Sequence, residues 1–316
     1  MTPLRLVFFG TPEFSVPFLN ALAADPKLRV VAAVSQPDRP SGRHHTIVPT
    51  PIRLAALAAG IEVFQPAKLR SEEAVAALRA YGADAFVVVA YGKLIPDSIL
   101  QLPRLGCINV HPSLLPKLRG PSPMQWAVAQ GDAMTGITIM LLDRGMDTGP
   151  ILSSVTIGLD SDETYETLVA KVHEQGPRLL IETLQRHANG EISPVPQDNE
   201  HATVTRLLER EDGHVNWNLP MATVERMSRA YRPWPGIWSV WKRDGEETRL
   251  KFLDTSPTDF NADLPPGTVS RKQARLFVDC LDGTLEIHNV QPEGKPPMTA
   301  EAFLRGYSDI DGAVLA

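Results

Sequence analysis

The chain has 316 residues, with 31 Lys+Arg against 37 Asp+Glu, a formal charge of −6, 43% apolar residues and 22% charged ones. This composition describes a soluble globular protein long enough for two domains, and it excludes a domain that holds nucleic acid through bulk positive charge, so any RNA contact needs a local basic patch. Cys107 and Cys280 lie far apart with no metal-type spacing and no framework of pairs, which fits a reducing compartment.

The N-terminus, MTPLRLVFFG, enters a strand at once and shows no signal-peptide pattern. No apolar run approaches the roughly 18 residues of a membrane span, so a cytoplasmic, non-membrane protein is expected. From Leu4 to about Ile157, the β-rich runs LRLVFF, LRVVAAV, IEVF, AFVVVA, CINV and GITIMLL alternate with the helical patterns VPFLNALAA, PIRLAALAAG, SEEAVAALRAYG and MQWAVAQG. Nearly continuous apolar strands separated by amphipathic helices predict an α/β, Rossmann-like parallel sheet covered on both faces. Such sheets carry their sites beyond the carboxyl ends of the strands.

Gly10 in FFGTPEF closes the first strand, but GxGxxG is absent, so the glycines that let a dinucleotide approach are missing. The local reading is a tight strand-to-helix turn with Pro12 opening the helix. Gln36 to Arg53 is a long Pro-rich loop carrying Arg39, Arg43, His44 and His45. Long loops in compact domains are often functional, and two adjacent histidines without a third ligand are a poor metal signature, so no metal is expected.

In CINVH, Asn109 and His111 stand at i and i+2 and therefore project to one face, with Val110 opposite. A single strand histidine is commonly a hydrogen-bonded structural residue. Paired with an amide at a carboxyl strand end, ahead of a loop stiffened by Pro112, Pro116, Pro121 and Pro123, it can stabilise an oxyanion and move a proton, as acyl transfer requires. The following strand ends in LLDRGMDTGPIL. Asp143 reads as a turn residue, whereas Asp147 reads as a carboxylate that orients and charge-stabilises His111.

A helix is predicted from Thr164 to about His187, then a polar, non-periodic linker over 190–204. After a possible helix over 220–231, the short strands GIWSVW, RLKFLD, GTVS, ARLFVDC and TLEIHNV predict a small antiparallel barrel or sandwich. In RAYRPWPGIWSVW, Arg229 and Arg232 beside aromatics could grip phosphate and base together, or the tryptophans could be core and the arginines solvated.

These segments, with FFGTPEFSVPFL, QPDRPSGR, VVVAYGKLIP, CINVHPSLLPKLRGPSP, GITIMLLDRGMDTGPIL, RAYRPWPG and VQPEGKPPMTAEAFLRG, resemble the methionyl-tRNA formyltransferase family over nearly the whole chain. The Asn-Val-His-Pro-Ser-Leu-Leu-Pro and Asp-Thr-Gly segments are typical of folate-dependent formyltransferases generally, and the last two segments point to the tRNA enzymes. The resemblance implies a catalytic formyltransferase domain over 1–189, a linker over 190–204 and a tRNA-binding, OB-like β-barrel over 205–316. It implies formyl transfer from 10-formyltetrahydrofolate to the α-amine of methionyl-initiator tRNA, in a monomer without a metal. The catalytic residues would be Asn109, His111 and Asp147. Ser113, Leu114, Leu115 and Pro116 match the folate-binding loop, and Tyr91, Gly92, Leu94, Ile95 and Asp143 would help wall the pterin pocket. Arg43 matches an arginine that approaches the tRNA acceptor end, with Arg229 and Arg232 as further tRNA contacts.

The chain departs from the pattern where the family usually carries two lysines after the loop arginine, here His44-His45-Thr46, and near Thr205, where a lysine is usual. Both changes remove fixed positive charge at neutral pH and weaken expected phosphate contacts. A sugar-nucleotide N-formyltransferase, sharing the folate half and the Asn/His/Asp group, is the alternative enzyme. A catalytically silent folate- or RNA-binding protein is the alternative outside catalysis, and it predicts loss of one of the three residues.

Overall fold

In the computed structural model, which describes residues 2–41, 46–243 and 245–316, the apolar runs of the first half become strands. The six runs become β1 (Leu4–Gly10), β2 (Leu28–Val34), β5 (Glu62–Phe64), β6 (Ala85–Val89), β7 (Cys107–His111) and β8 (Met134–Leu141), and three strands lie outside them: β3 (Arg39–Ser41), β4 (Thr46–Val48) and β9 (Ile151–Gly158). Among the described residues, β3 and β4 form a separate hairpin, and the other seven form one sheet in the order β5-β2-β1-β6-β7-β8-β9. β6 and β7 are buried at every position, as expected of strands covered on both faces.

The helices of this part are α1 (Val16–Ala24), α2 (Pro51–Ala58), α3 (Glu72–Ala80) and α4 (Asp97–Leu100). Thr50 and Ser71 cap α2 and α3 by accepting the backbone N–H of Arg53 and Ala74, a contact worth about 1 kcal/mol each. The chain leaves β1 for β2 and β5 on one side and β6 and β7 on the other, so the order reverses between β1 and β6. That reversal opens a crevice at the carboxyl ends of the strands.

The expected parallel sheet is extended at one side by antiparallel pairing. Strands β5, β2, β1, β6 and β7 are parallel, but β8 is antiparallel to β7 and to β9. The segment after His111, which includes α5 (Pro123–Gln130), returns to the end of the sheet it left, so Thr138 pairs with His111 and Leu141 with Ile108. The short connection 142–150 then leaves no room for the dozen or more residues that a parallel crossover needs. From Ser153 to Gly158, edge strand β9 alternates less and more exposed positions.

The long predicted helix is α6 (Tyr165–Ala188). The chain forms two compact units, one of Met1–Gly120, Met134–Gly158 and Val169–Thr205, the other of Pro121–Ala133, Leu159–Leu168 and Arg206–Ala316. Residues 190–204 carry little regular structure yet are held within the first unit: Val195 exchanges backbone hydrogen bonds with Ile151, and Thr203 and Thr205 pair with Pro116 and Arg119.

In the second unit, α7 (Met221–Ala230) precedes β10 (Ile237–Arg243), β11 (Glu246–Thr258), β12 (Val269–Lys272), β13 (Arg275–Asp279), β14 (Thr284–Pro292) and β15 (Met298–Thr299), and α8 (Ala300–Gly306) follows. Among the described residues these strands form an antiparallel sheet in the order β10-β11-β14-β13-β12, with β15 beside β14. The C-terminal tail joins the two edges: Val269 N–H donates to Ala313 on the β12 side, and Val240 and Ala316 exchange hydrogen bonds on the β10 side. Pairing both edges in this way removes open strand donors and acceptors. Trp217 and Trp241 are buried in this unit, while Trp234 is 55% exposed.

Asp279, at the end of β13, is 2% exposed; Thr284 donates to its Oδ1, and its Oδ2 has no partner. Burial raises its carboxyl above the ordinary 3.8, against the lowering effect of Thr284. A raised carboxylate contributes stability that is present below about 3.8 and lost as pH rises through the folded value. Asp279→Asn is therefore expected to raise the unfolding free energy at pH 7 by on the order of 1 kcal/mol, and by less at pH 4, as read by thermal unfolding at both pH values.

Candidate functional site

Strand alternation places Asn109 and His111 on one face of β7, 8% and 4% exposed, with Val110 on the other. His111 Nε2 lies 2.9 Å from the Leu118 carbonyl oxygen. A carbonyl only accepts, so Nε2 carries a proton, which leaves Nδ1 as the nitrogen turned toward Asp147. Nδ1 faces Oδ2 of Asp147 at 3.6 Å, and Asn109 Nδ2 donates to Oδ1 of the same carboxylate at 3.5 Å. The backbone N–H of Gly120 donates to Oδ2 at 2.8 Å. Three side chains read separately in the sequence therefore meet around one carboxylate, in a setting dry enough to strengthen each electrostatic contact.

The carboxylate reaches this point from an unusual backbone. Asp147 has φ 55°, in the left-handed region where Asp and Asn are the tolerated non-glycine residues. Its own carbonyl accepts a hydrogen bond from Gln197 Nε2 at 2.9 Å, and the same amide donates to the Gly149 carbonyl at 2.7 Å. A Cβ on Gly149 would collide with the Leu141 carbonyl oxygen, and one on Gly145 with the Thr148 hydroxyl. Asp143 braces the same loop: its Oδ1 accepts from Gly145 N–H at 2.9 Å and from the Thr148 hydroxyl at 2.7 Å, as its turn reading anticipates.

The proline-rich loop after β7 is held by its own side chains. Ser113, fully buried, donates its hydroxyl to the Lys117 carbonyl at 2.7 Å. Thr138 on β8 donates to the Ser113 carbonyl at 2.7 Å and accepts from Leu115 N–H at 3.2 Å. Leu115 is buried, whereas Leu114 and Pro116 are half-buried. Beyond β6, Tyr91 is 1% exposed and its hydroxyl has no partner, so burial pushes the phenol up. Gly92 adopts φ 80°, Leu94 is 70% exposed, and Ile95 packs into the core. Arg144 pairs with Asp97 at 2.7 Å, which ties the loop after β8 to the segment after β6.

Of the expected tRNA contacts, Arg43 lies outside the described residues, as do His44 and His45. Arg229 turns inward: its guanidinium pairs with both Glu225 oxygens and donates to the Glu163 carbonyl, leaving the side chain 11% exposed. Arg232 is 30% exposed, facing Asp254 at 3.6 Å. Thr205 is 7% exposed and donates its hydroxyl to the Arg119 carbonyl at 2.9 Å. Among the described residues, no group of three His, Cys, Asp or Glu side chains could hold a metal ion.

Sequence reasoning missed Leu118, Gly120, Thr138, Arg119 and Gln197. The first two act through backbone groups, which no side-chain pattern reveals. The last two meet across 78 residues, with Arg119 Nε and Nη2 donating to Gln197 Oε1 at 3.0 and 2.8 Å. A 6%-exposed arginine needs buried partners, but its identity in LPKLRGP does not say which.

Known proteins match this chain over nearly its whole length. A family profile described as "Formyl transferase" matches residues 4–184, and one described as "Formyl transferase, C-terminal domain" matches 207–308. A protein of Roseiflexus sp. (strain RS-1) named methionyl-tRNA formyltransferase is 45% identical over 305 residues, covering 96% of this chain and 93% of that protein. One of the same name from Chloroflexus aggregans is 42% identical over 96% of this chain and 97% of its own length. The fold also matches a structure of HypX from Aquifex aeolicus in complex with tetrahydrofolic acid, with TM-score 0.64 and 16% identity over 98% of this chain and 48% of that one. The sugar 3N-formyl transferase WlaRD superposes with TM-score 0.64 and 14% identity, over 94% of this chain and 100% of that one. The two profiles together span most of the chain and define a formyl transferase. Within that class, the chain belongs to the methionyl-tRNA formyltransferase family.

The collision at position 149 gives a direct test of the loop. Gly149→Ala is expected to lower unfolding free energy in urea by about 1–3 kcal/mol. Gly158→Ala, where an added Cβ meets nothing within 4 Å, is expected to stay within about 0.5 kcal/mol of the parent.

Proposed function

We propose that this chain transfers the formyl group of 10-formyltetrahydrofolate to the α-amino group of methionine on initiator tRNA. The observation that carries the reading is the convergence of Asn109 and His111 on the Asp147 carboxylate, at 3.5 and 3.6 Å, in a chain that matches the named relatives almost end to end.

The surroundings fit a folate. Leu94 and Met146, 70% and 48% exposed, present uncovered apolar side chains on the segments after β6 and β8. The backbone of 92–96 is neither helix nor strand, so its polar groups can serve a flat heteroaromatic ring. Tyr91, Gly92, Leu94, Ile95 and Asp143 would wall the pterin, and Ser113, Leu114, Leu115 and Pro116 would hold the folate side, Ser113 by shaping the loop from within. When bound, the folate supplies the activated formyl group.

Asn109 has two amide hydrogens; one reaches Asp147 and the other serves the formyl oxygen as negative charge develops there. His111 works through Nδ1, because Leu118 occupies Nε2. Protonated at Nδ1, the imidazolium is stabilised by Asp147 and donates to the same oxygen or to the departing nitrogen. Asp147 receives the proton released by the attacking amine, directly or through water. Arg43 and Arg232 serve phosphates of the tRNA, while Arg229 contributes by bracing α7 against Glu163.

In this reading residues 1–189 are the catalytic domain, 190–204 the connection and 205–316 the tRNA-binding domain. One chain then carries both halves of the task, so a monomer suffices. A cytoplasmic location accords with two buried thiols, both pushed up to about 12 by burial and so unreactive as thiolates, and with the described residues holding no helix long and apolar enough to cross a membrane.

A formylation assay with 10-formyltetrahydrofolate, run in parallel on charged initiator tRNA, charged elongator tRNA and an amino-sugar nucleotide, is expected to favour the initiator tRNA. Preference for the sugar would overturn the assignment in favour of a sugar-nucleotide N-formyltransferase. Asn109→Ala and Asp147→Ala are each expected to cut kcat by about 100-fold or more while tetrahydrofolate binding by calorimetry persists. Parental turnover in either variant would remove that residue from the mechanism.

A further inference from the structure

Asp147 is held by two kinds of contact. Asn109 and Gly120 hold its carboxylate, whereas the left-handed backbone that aims the carboxylate is held elsewhere. Among residues 193–200, Gln197 is the one that is not exposed. Its amide nitrogen donates to the carbonyls of Asp147 and Gly149 at 2.9 and 2.7 Å, so both hydrogens bracket the turn. Its amide oxygen accepts from Arg119 Nε and Nη2, and Arg119 Nη2 also donates to Asn199 Oδ1 at 2.8 Å.

The chemistry fixes the orientation of this amide. Arginine only donates and a carbonyl only accepts, so the oxygen must face Arg119 and the nitrogen must face the turn. No carboxylate can replace Gln197: it would satisfy Arg119 and set a negative oxygen against two carbonyl oxygens. The backbone of the same arginine is fixed too, its N–H donating to the Thr203 carbonyl at 2.9 Å and its carbonyl accepting from Thr205 N–H at 2.7 Å.

We propose that Gln197, locked by Arg119, is a positioning residue that sets the backbone of Asp147 and thereby the approach of its carboxylate to His111 Nδ1. The proposal rests on the reaction assigned above. Gln197 acts through Asp147 and need touch neither substrate, so its loss should appear in kcat rather than in substrate affinity. A displacement of about 1 Å at a catalytic group costs on the order of 100-fold in rate.

The test compares Gln197→Glu and Gln197→Met, the second retaining length without either polar group, in the full chain. Steady-state formylation is expected to show kcat lowered by about 10–100-fold in both, with both KM values little changed and melting temperatures within about 5 °C of the parent. Imidazole nitrogen NMR of His111 is expected to show the Nδ1 resonance moved and the Nε2–H resonance, bound to Leu118, in place. Parental kcat in both variants, or an unmoved Nδ1 resonance in both, overturns the proposal. So does a variant that melts far below the parent with both ring nitrogens shifted, which marks a support of the whole fold. If the parent itself fails to formylate methionyl-tRNA, the functional reading falls, and the ring resonances still decide whether Gln197 positions Asp147.

Discussion

The three residues Leu118, Arg119 and Gly120 set the geometry of the site by presenting successive groups in different directions. The Leu118 carbonyl takes His111 Nε2, the Gly120 N–H takes the Asp147 carboxylate, and the Arg119 side chain takes Gln197. Gly120 sits at φ 92°, and a Cβ there would press on the Thr205 carbonyl oxygen, so glycine meets both the conformation and the close approach. Without this strut, the imidazole could adopt either tautomer and the carboxylate would lose its backbone donor. Its rigidity comes from the pairing of Arg119 with Thr203 and Thr205, and of Leu118 N–H with the Thr203 hydroxyl at 2.8 Å.

The site is a buried polar network, and such networks are favourable only when their members find partners. Asn109, His111, Ser113, Arg119 and Thr138 are each under 9% exposed, and each has a hydrogen bond or close charged partner. The sheet beneath supplies what holds them: β6 and β7 are buried at every position, so the ends of these strands are anchored where the polar groups emerge. The strained element, the left-handed Asp147, is placed where its carboxylate meets Asn109 and His111, and surrounding hydrogen bonds compensate it.

The second unit solves a different problem. An antiparallel sheet has two edges, and here the last residues of the chain hydrogen-bond to both. Trp217 and Trp241 fill its interior, and Trp217 Nε1–H is satisfied by the Ser239 hydroxyl at 3.0 Å. The RAYRPWPG stretch divides between interior and surface. Arg229 is an internal brace paired with Glu225, while Arg232 and Trp234 are 30% and 55% exposed.

Local periodicity determined much of this protein. Apolar runs and helical spacings predicted the strands and helices, and period-two alternation put Asn109 and His111 on one face, because these patterns report burial and need only neighbours in the chain. Asp147 was legible as a carboxylate suited to orienting a histidine, but its meeting with His111 across 36 positions required the antiparallel return of β8 beside β7. Residues 190–204 read as an unpatterned polar linker because hydrogen bonding to distant carbonyls leaves no period. Only the tertiary structure could decide that Gln197 faces Asp147 and that Arg119 turns toward it, since each amide and guanidinium is directed by partners that folding alone brings within 3 Å.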